Sequence, residues 1–327
     1  MTMWLQHRWY DKRLHPLLYL LTPLSLLFWL LTNLRRSLYR FRLLKRYKAD
    51  VPVIVVGNIS VGGTGKTPMT LALVKFLKAE GYQPGIVSRG YRADATFPHV
   101  VKDDDEPRIA GDEPLMLKHK TGCPVVISPN RGEAVQCLMS QHPAVDIVIS
   151  DDGLQHYAMQ RDIELILIDA ERGVGNGWLL PCGPLREGPW RLKGAEWVVS
   201  LYAQHPFAQY VCEVEPQGWH RVSDGEAVEL PGEAAYAIAG IGNPHRFFHG
   251  LQEQGIELLD CIEFPDHHQF NADDFNDFAD KPVLMTEKDA AKCRTFAQRN
   301  WFYQPISAQL PDELRAKLAQ RIRKLTA

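Results

Sequence analysis

Val51-Pro52-Val53-Ile54-Val55-Val56-Gly57-Asn58-Ile59-Ser60-Val61-Gly62-Gly63-Thr64-Gly65-Lys66-Thr67 is the stretch on which the fold turns. Val51 to Val56 is a short β-branched apolar run, the pattern of a strand buried on both faces of a parallel sheet. From Pro68 to Lys78 apolar residues recur at helical spacing (Met69, Leu71, Leu73, Val74, Phe76, Leu77). Strand, glycine-rich loop and helix in that order form the setting of a phosphate-binding loop. Where Cβ atoms are missing, successive backbone N–H groups can converge on phosphate oxygens. On this reading Ser60, Val61, Gly62, Gly63, Thr64, Gly65, Lys66 and Thr67 bind ATP. Lys66 reaches the β- and γ-phosphates and Thr67 places its hydroxyl on Mg²⁺. Ser60 stands where the general pattern has its first glycine. An accidental glycine turn would lack the flanking strand and helix.

Two acidic clusters follow. Asp146-Ile-Val-Ile-Ser-Asp151-Asp152-Gly153 is an apolar strand ending in paired carboxylates, as a metal-side segment beside a phosphate loop requires. Alternate side chains of a strand face opposite ways, so one of Asp151 and Asp152 is expected at the metal. Gly111-Asp112-Glu113-Pro114 puts two further carboxylates at a helix start, where acids are common for electrostatic reasons alone. A hydroxyl acceptor needs a base, and Asp266-His267-His268 supplies candidate partners for one.

Working back toward the N-terminus, Leu14 to Leu34 carries no charged residue. As one helix it would reach roughly 30 Å, the depth of a bilayer's hydrocarbon core. Arg35, Arg36, Arg40, Arg42, Lys45, Arg46 and Lys48 follow before the first acid at Asp50. That flank predicts a cytoplasmic side and contact with anionic lipid. No small-residue cleavage site follows, which disfavours a signal peptide. Pro16 and Pro23 interrupt the run, so a helix lying in the interface and one crossing it both fit. Membrane attachment is the expectation.

At 327 residues the chain is too long for one ordinary core, and 45% hydrophobic with 23% charged residues excludes a disordered or fibrous protein. A net charge of −2 argues against nucleic acid as partner. Six scattered cysteines without a C-x-x-C pair read as reduced thiols rather than a zinc or disulfide framework. Gly240-Ile241-Gly242-Asn243-Pro244-His245 imitates a dinucleotide fingerprint but lacks its third glycine, and Arg246 spoils a H-E-x-x-H zinc pattern at His245 and His249.

The ordered set of motifs resembles the tetraacyldisaccharide 4′-kinase family, the lipid A 4′-kinases of Gram-negative bacteria. It comprises the basic-flanked N-terminal helix, Gly57–Ile59 leading into the loop, Ser88-Arg89-Gly90-Tyr91, Gly111–Pro114 and Asp151-Asp152-Gly153-Leu154-Gln155-His156. Pro184-Leu185-Arg186-Glu187, Gly240–Pro244, Asp266–His268 and Thr286-Glu287-Lys288-Asp289 complete it. The resemblance implies transfer of the γ-phosphate of ATP to the 4′-hydroxyl of a tetraacyl glucosamine disaccharide 1-phosphate at the cytoplasmic face of the inner membrane. It implies Asp112 as the base, assisted by His267, and Lys66 on the phosphates. It further implies Thr67, Glu113, Asp151 and Asp152 at the metal or acceptor. Asn58, Arg89, Tyr91, Gln155, His156, Arg186 and Glu187 would line the acceptor site. No obligate protein partner is expected.

The resulting expectation is an α/β protein: a P-loop NTPase-like parallel-sheet core, a smaller α/β domain and an N-terminal membrane helix. Residues 1–34 form the anchor, 35–205 the kinase core and 206–327 a second domain closing the active-site cleft. Strand candidates are 85–88, 125–128, 147–150, 165–169 and 198–201, then 235–239, 256–261, 283–286 and 301–303, with a closing helix near 312–325. A membrane-bound P-loop ATPase or GTPase switch is the rival, weakened because Val61 stands where such loops carry lysine. A cytosolic metabolite kinase with the apolar segment packed on its own core is a third reading.

Overall fold

The computed structural model describes residues 3–11, 15–266, 268–278 and 281–326. They fall into two compact units, one of residues 1–213 with 308–327 and one of residues 214–307. The first is built on nine strands: β1 (Val53–Asn58), β2 (Pro84–Ser88), β3 (His99–Val100), β4 (Val125–Ile127), β5 (Ile147–Asp151), β6 (Ile163–Asp169), β7 (Val198–Leu201), β8 (Tyr210–Pro216) and, late in the chain, Ile306–Gln309. Their order across the sheet is Ile306–Gln309, β8, β7, β6, β1, β5, β2, β4, β3. Neighbours from β8 to β4 are parallel, and β3 runs antiparallel to β4. All six residues of β1 are buried, as a central strand covered on both faces requires. The chain runs from β1 out to β2 and β4, returns to β5 and only then crosses to β6. The order reverses beside β1, and ligands of open α/β sheets bind beyond the strand ends at such a reversal.

The expected core strands are all present. What differs is the division of the chain. The expected boundary puts the end of the core near residue 205 and assigns the C-terminal helix to the second domain. Here β8 extends the first sheet, and the last helix, Asp312–Thr326, belongs with it. Its Leu314, Leu318 and Ile322 are buried, Lys317 Nζ lies 2.9 Å from the Tyr210 hydroxyl, and Arg323 pairs with Glu80 at 3.0 Å. An amphipathic helix goes where its apolar stripe is covered, whatever its place in the chain.

The second unit carries β9 (Trp219–Arg221), β10 (Ala227–Val228), β11 (Ala235–Ala239), β12 (Leu258–Glu263), β13 (Val283–Thr286) and β14 (Trp301–Gln304), in the order β10, β9, β14, β13, β11, β12. The last four run parallel to one another, and β9 is antiparallel to β14. Buried Asp289 ties the loop after β11 to the helix after β13. It accepts from Gly240 N at 3.0 Å and the Thr286 hydroxyl at 2.7 Å, and pairs with Lys292 at 3.1 Å.

The apolar N-terminal segment forms a 3-10 turn, Pro16–Leu21, followed by an α-helix, Thr22–Arg40. By length and composition, Pro16–Arg40 could cross a membrane. The helix nonetheless docks on the first unit at its only buried residue, Ser25. The Ser25 hydroxyl donates to Leu179 O and accepts from Cys182 N, both at 2.9 Å, and Phe28 packs on the core. Leu17, Leu20, Leu24, Leu26, Leu27, Leu30, Leu31 and Leu34 are all more than half exposed.

Candidate active site

Gly65 (φ +75°) ends the loop, and the helix Lys66–Ala79 begins at once behind it. A Cβ at Gly65 would meet Leu201 Cδ1 at 2.3 Å, so space as well as backbone conformation demands glycine. The loop is braced from inside: Asn58 Nδ2 donates to the Thr64 hydroxyl at 2.7 Å, and Lys66 Nζ reaches Asn58 Oδ1 at 3.5 Å. Thr67 is the second residue of the helix, and Gly62 and Gly63 remain at the surface. Val61 N donates to Pro184 O at 2.8 Å, and Arg186 N donates to Ile59 O at 2.6 Å. The Pro184–Glu187 motif is therefore laid directly along the phosphate loop.

β1 pairs with β5 so that Asp151 lies opposite Val56, delivering both aspartates to the sheet end where the loop starts. The two carboxylates then part company. Asp151 is fully buried, and its Oδ1 accepts from Thr70 at 3.1 Å. Burial, then the charges of Glu113 and Asp152, push it up to about 7. Asp152 has a left-handed backbone (φ +45°), which aspartate tolerates better than most residues, and its side chain is 30% exposed. Burial alone would raise it, but Lys66 at 3.8 Å and Arg186 at 3.1 Å outweigh that and hold it at about 2. Adjacent carboxylates thus titrate far apart, Asp152 firmly ionised and Asp151 poised near neutrality, a pattern that separates chemical roles.

Residues expected on the acceptor side also lie near this end of the sheet. Gln155 Nε2 donates to Asn58 O at 2.9 Å and to Glu187 at 2.8 Å. Glu187 is buried and also accepts from Tyr157. Asp112 and Glu113 open the helix Asp112–Thr121. A Cβ on Gly111, just before them, would lie 3.4 Å from Tyr91 O, which brings the Ser88–Tyr91 loop alongside. Arg89 and Tyr91 are exposed there. His156 faces the framework instead: its Nε2 accepts from Arg131 N at 3.3 Å. Burial, then the positive charges of Arg131, Arg161, Arg35 and Arg89, lower its pKa to about 4, so it is neutral. His267 lies outside the described residues.

Sequence reasoning missed Arg131 and Thr70. Arg131 is almost fully buried and donates to Ser128 O at 3.1 Å, Asp151 O at 3.3 Å and Asp152 O at 3.4 Å. Burial lowers its pKa to about 10, leaving it a cation that clamps the turn carrying both aspartates. Its one sequence signal is Asn130, a helix cap that accepts from Gly132 N and marks a second strand-to-helix turn at this edge.

A parallel sheet reversing at β1, a left-handed glycine before a helix and a lysine facing an acidic strand end define a P-loop nucleotide-binding protein. Residues 17–323 match the family model described as tetraacyldisaccharide-1-P 4′-kinase, and the chain belongs to that family. It is 61% identical to the tetraacyldisaccharide 4′-kinase of Idiomarina loihiensis over 98% of both chains. Identity to the enzyme of the same name from Actinobacillus succinogenes is 47%, over 97% of this chain and 98% of that one. A crystal structure titled as an "apo" form of LpxK from Aquifex aeolicus in complex with ATP superposes with a TM-score of 0.78. The two are 28% identical, over 95% of this chain and all of that one. These relatives are kinases, which leaves the switch reading unsupported.

Proposed function

We propose that the first unit performs the family's reaction with the residues gathered at the carboxyl ends of β1 and β5. The chain is an ATP-dependent kinase of lipid A biosynthesis, phosphorylating the 4′-hydroxyl of a tetraacyl disaccharide 1-phosphate. One observation carries the assignment of residues: loop Lys66 and acceptor-side Arg186 converge on the same carboxylate, Asp152. That carboxylate holds the phosphate-loop lysine and the acceptor wall in fixed register. The main-chain amides of Ser60–Gly65 cradle the phosphates of ATP, and Lys66 balances their charge. The donor set fits a divalent cation, because buried Asp151 is crowded by the negative charges of Glu113 and Asp152. Thr67, Asp151 and Glu113 would hold Mg²⁺, which when bound neutralises phosphate charge. Asp152 stays with Lys66 and Arg186.

Asp112 takes the proton from the acceptor hydroxyl. Gln155, Arg186 and Glu187 orient the sugar, while Arg131 fixes the Asp151–Asp152 turn from behind. The exposed leucines of Thr22–Arg40 enter the lipid at the cytoplasmic face of the inner membrane, and the basic stretch Arg35–Lys48 meets anionic headgroups. Thr22–Leu34 covers only about 20 Å. Together with the docking at Ser25, that favours a helix lying in one leaflet. The test of the chemistry is labelled ATP with purified tetraacyl disaccharide 1-phosphate in detergent. Asp112→Ala should lower turnover about 10²- to 10⁴-fold while ATP still binds. Unchanged turnover would remove Asp112 from the mechanism.

A further inference from the structure

The turn that follows β6 flanks the phosphate loop on the side away from the acids. Asn58 at the end of β1 stands opposite Leu167, so β6 runs on to Asp169 beside the start of the loop. β5, on the other side of β1, brings Asp151 and Asp152 to the opposite flank. Buried Asp169 shapes the β6 turn by accepting from Glu171 N at 3.0 Å and Arg172 N at 3.1 Å. Gly173 (φ +51°) closes it with a bond to Asp169 O at 2.8 Å. From this turn the Arg172 side chain reaches the loop, where a Cβ built on Gly62 would meet its Nη1 at 3.6 Å.

The N-terminus seats the same guanidinium from behind. Arg172 lies over the Tyr10 ring, 4.7 Å from its centroid. Tyr10 is held in turn by its neighbour Trp9, which is only 1% exposed. Trp9 Nε1 donates to Pro181 O at 3.0 Å, and Trp9 O accepts from Asn176 N at 2.8 Å. A Cβ on Gly175 would stand 2.7 Å from Trp9 O, so the stretch after β6 has room for this residue only because glycine is there. The segment ahead of the membrane helix is thus built into the 172–184 stretch, and it presents one aromatic face to one arginine.

The loop has use for a second cation. Its own Lys66 lies 3.8 Å from Asp152 and shares its charge with that carboxylate. We propose that Arg172 is an ATP-binding residue: its guanidinium, held on Tyr10, donates to triphosphate oxygens from the β6 side of the loop. This rests on the assignment of Ser60–Thr67 to ATP above. It adds a cation from outside the loop and gives the N-terminal segment a part in nucleotide binding, because that segment aims the arginine. A planar fork kept on an aromatic ring matches phosphate oxygens better than a mobile ammonium does.

The test is equilibrium binding to the full chain in neutral detergent, without acceptor, using ATP, ADP, inorganic tripolyphosphate and adenosine as probes, alongside initial rates. Arg172→Gln should weaken ATP, ADP and tripolyphosphate about 10- to 100-fold and raise the KM for ATP in step. Adenosine binding, kcat, the KM for acceptor and Tm should stay at wild-type values. Arg172→Lys, which keeps charge without the planar stack, should fall between. Tyr10→Leu should weaken ATP about 3- to 10-fold when Arg172 is present and add nothing to Arg172→Gln, since the ring acts only through the arginine. Unchanged ATP binding, equal weakening of adenosine, or a loss confined to kcat overturns the assignment. So does a lowered Tm with normal ATP affinity, which would leave the stack a purely structural contact. Additive losses from Tyr10→Leu and Arg172→Gln overturn the part given to Tyr10. Wild-type protein that binds none of the phosphate probes would instead sink the phosphate-loop reading itself.

Discussion

Each unit has a central parallel strand that runs through a glycine-containing loop into a helix, and the two loops end differently. After β1, the glycines at 62 and 65 take left-handed backbone and precede Lys66. After β11, Gly240 gives its N–H to Oδ2 of the buried Asp289 carboxylate, and a Cβ there would stand 3.2 Å from its Oδ1 and from Phe270. One loop is shaped to receive an anion from outside. The other has an anion built in, with Lys292 as its counter-charge. Glycine spacing by itself does not tell them apart; what tells them apart is whether the protein has already supplied the acceptor for the loop's amides.

That contrast can be broken at either end. Lys66→Ala should leave the fold intact and lower kcat/KM by about 10³-fold or more, if as proposed it removes the cation that meets developing phosphate charge. Near-normal activity would undo the distinction. Asp289→Ala should leave the KM for ATP alone but strand the buried Lys292 ammonium and the Gly240 N–H, costing about 3–5 kcal/mol in urea or thermal unfolding. A loss under about 1 kcal/mol would mean the second loop does not depend on its internal anion. The smallest effect concerns the turn beside Asp152. Folded His156 titrates near 4, whereas an unfolded histidine takes its proton near 6.5. The stability it contributes is complete above pH 6.5 and is lost as pH falls from there toward 4. His156→Gln should flatten the fall in Tm over that window by roughly 2–4 °C.

How far the sequence could be read follows from the range of each signal. Val51–Thr67 was legible because strand period, glycine placement and helix onset are local. The same holds for Asp151-Asp152, an acidic pair closing an apolar run. Which aspartate would be held ionised was not legible, since it depends on Arg186, Lys66 and Glu113 arriving from three other segments. Arg131 was invisible for the same reason: its partners are carbonyls at the end of a strand it does not belong to. The hairpin of β9 and β10 lies in a polar stretch without alternation, where only Asp224-Gly225 hinted at a turn.

The seat of Ser25 bears on how the molecule can be handled. Trimming away the greasy segment to obtain a water-soluble enzyme would strand Cys182 N and leave Leu179 O with only the Gly183 N–H, where both now share one hydroxyl. They sit at the root of the turn that carries Arg186 and Glu187. A tether that also serves as a strut cannot be cut without loosening what it props. Solubility is better sought by repainting the outward leucines and leaving Ser25 and Phe28 in place.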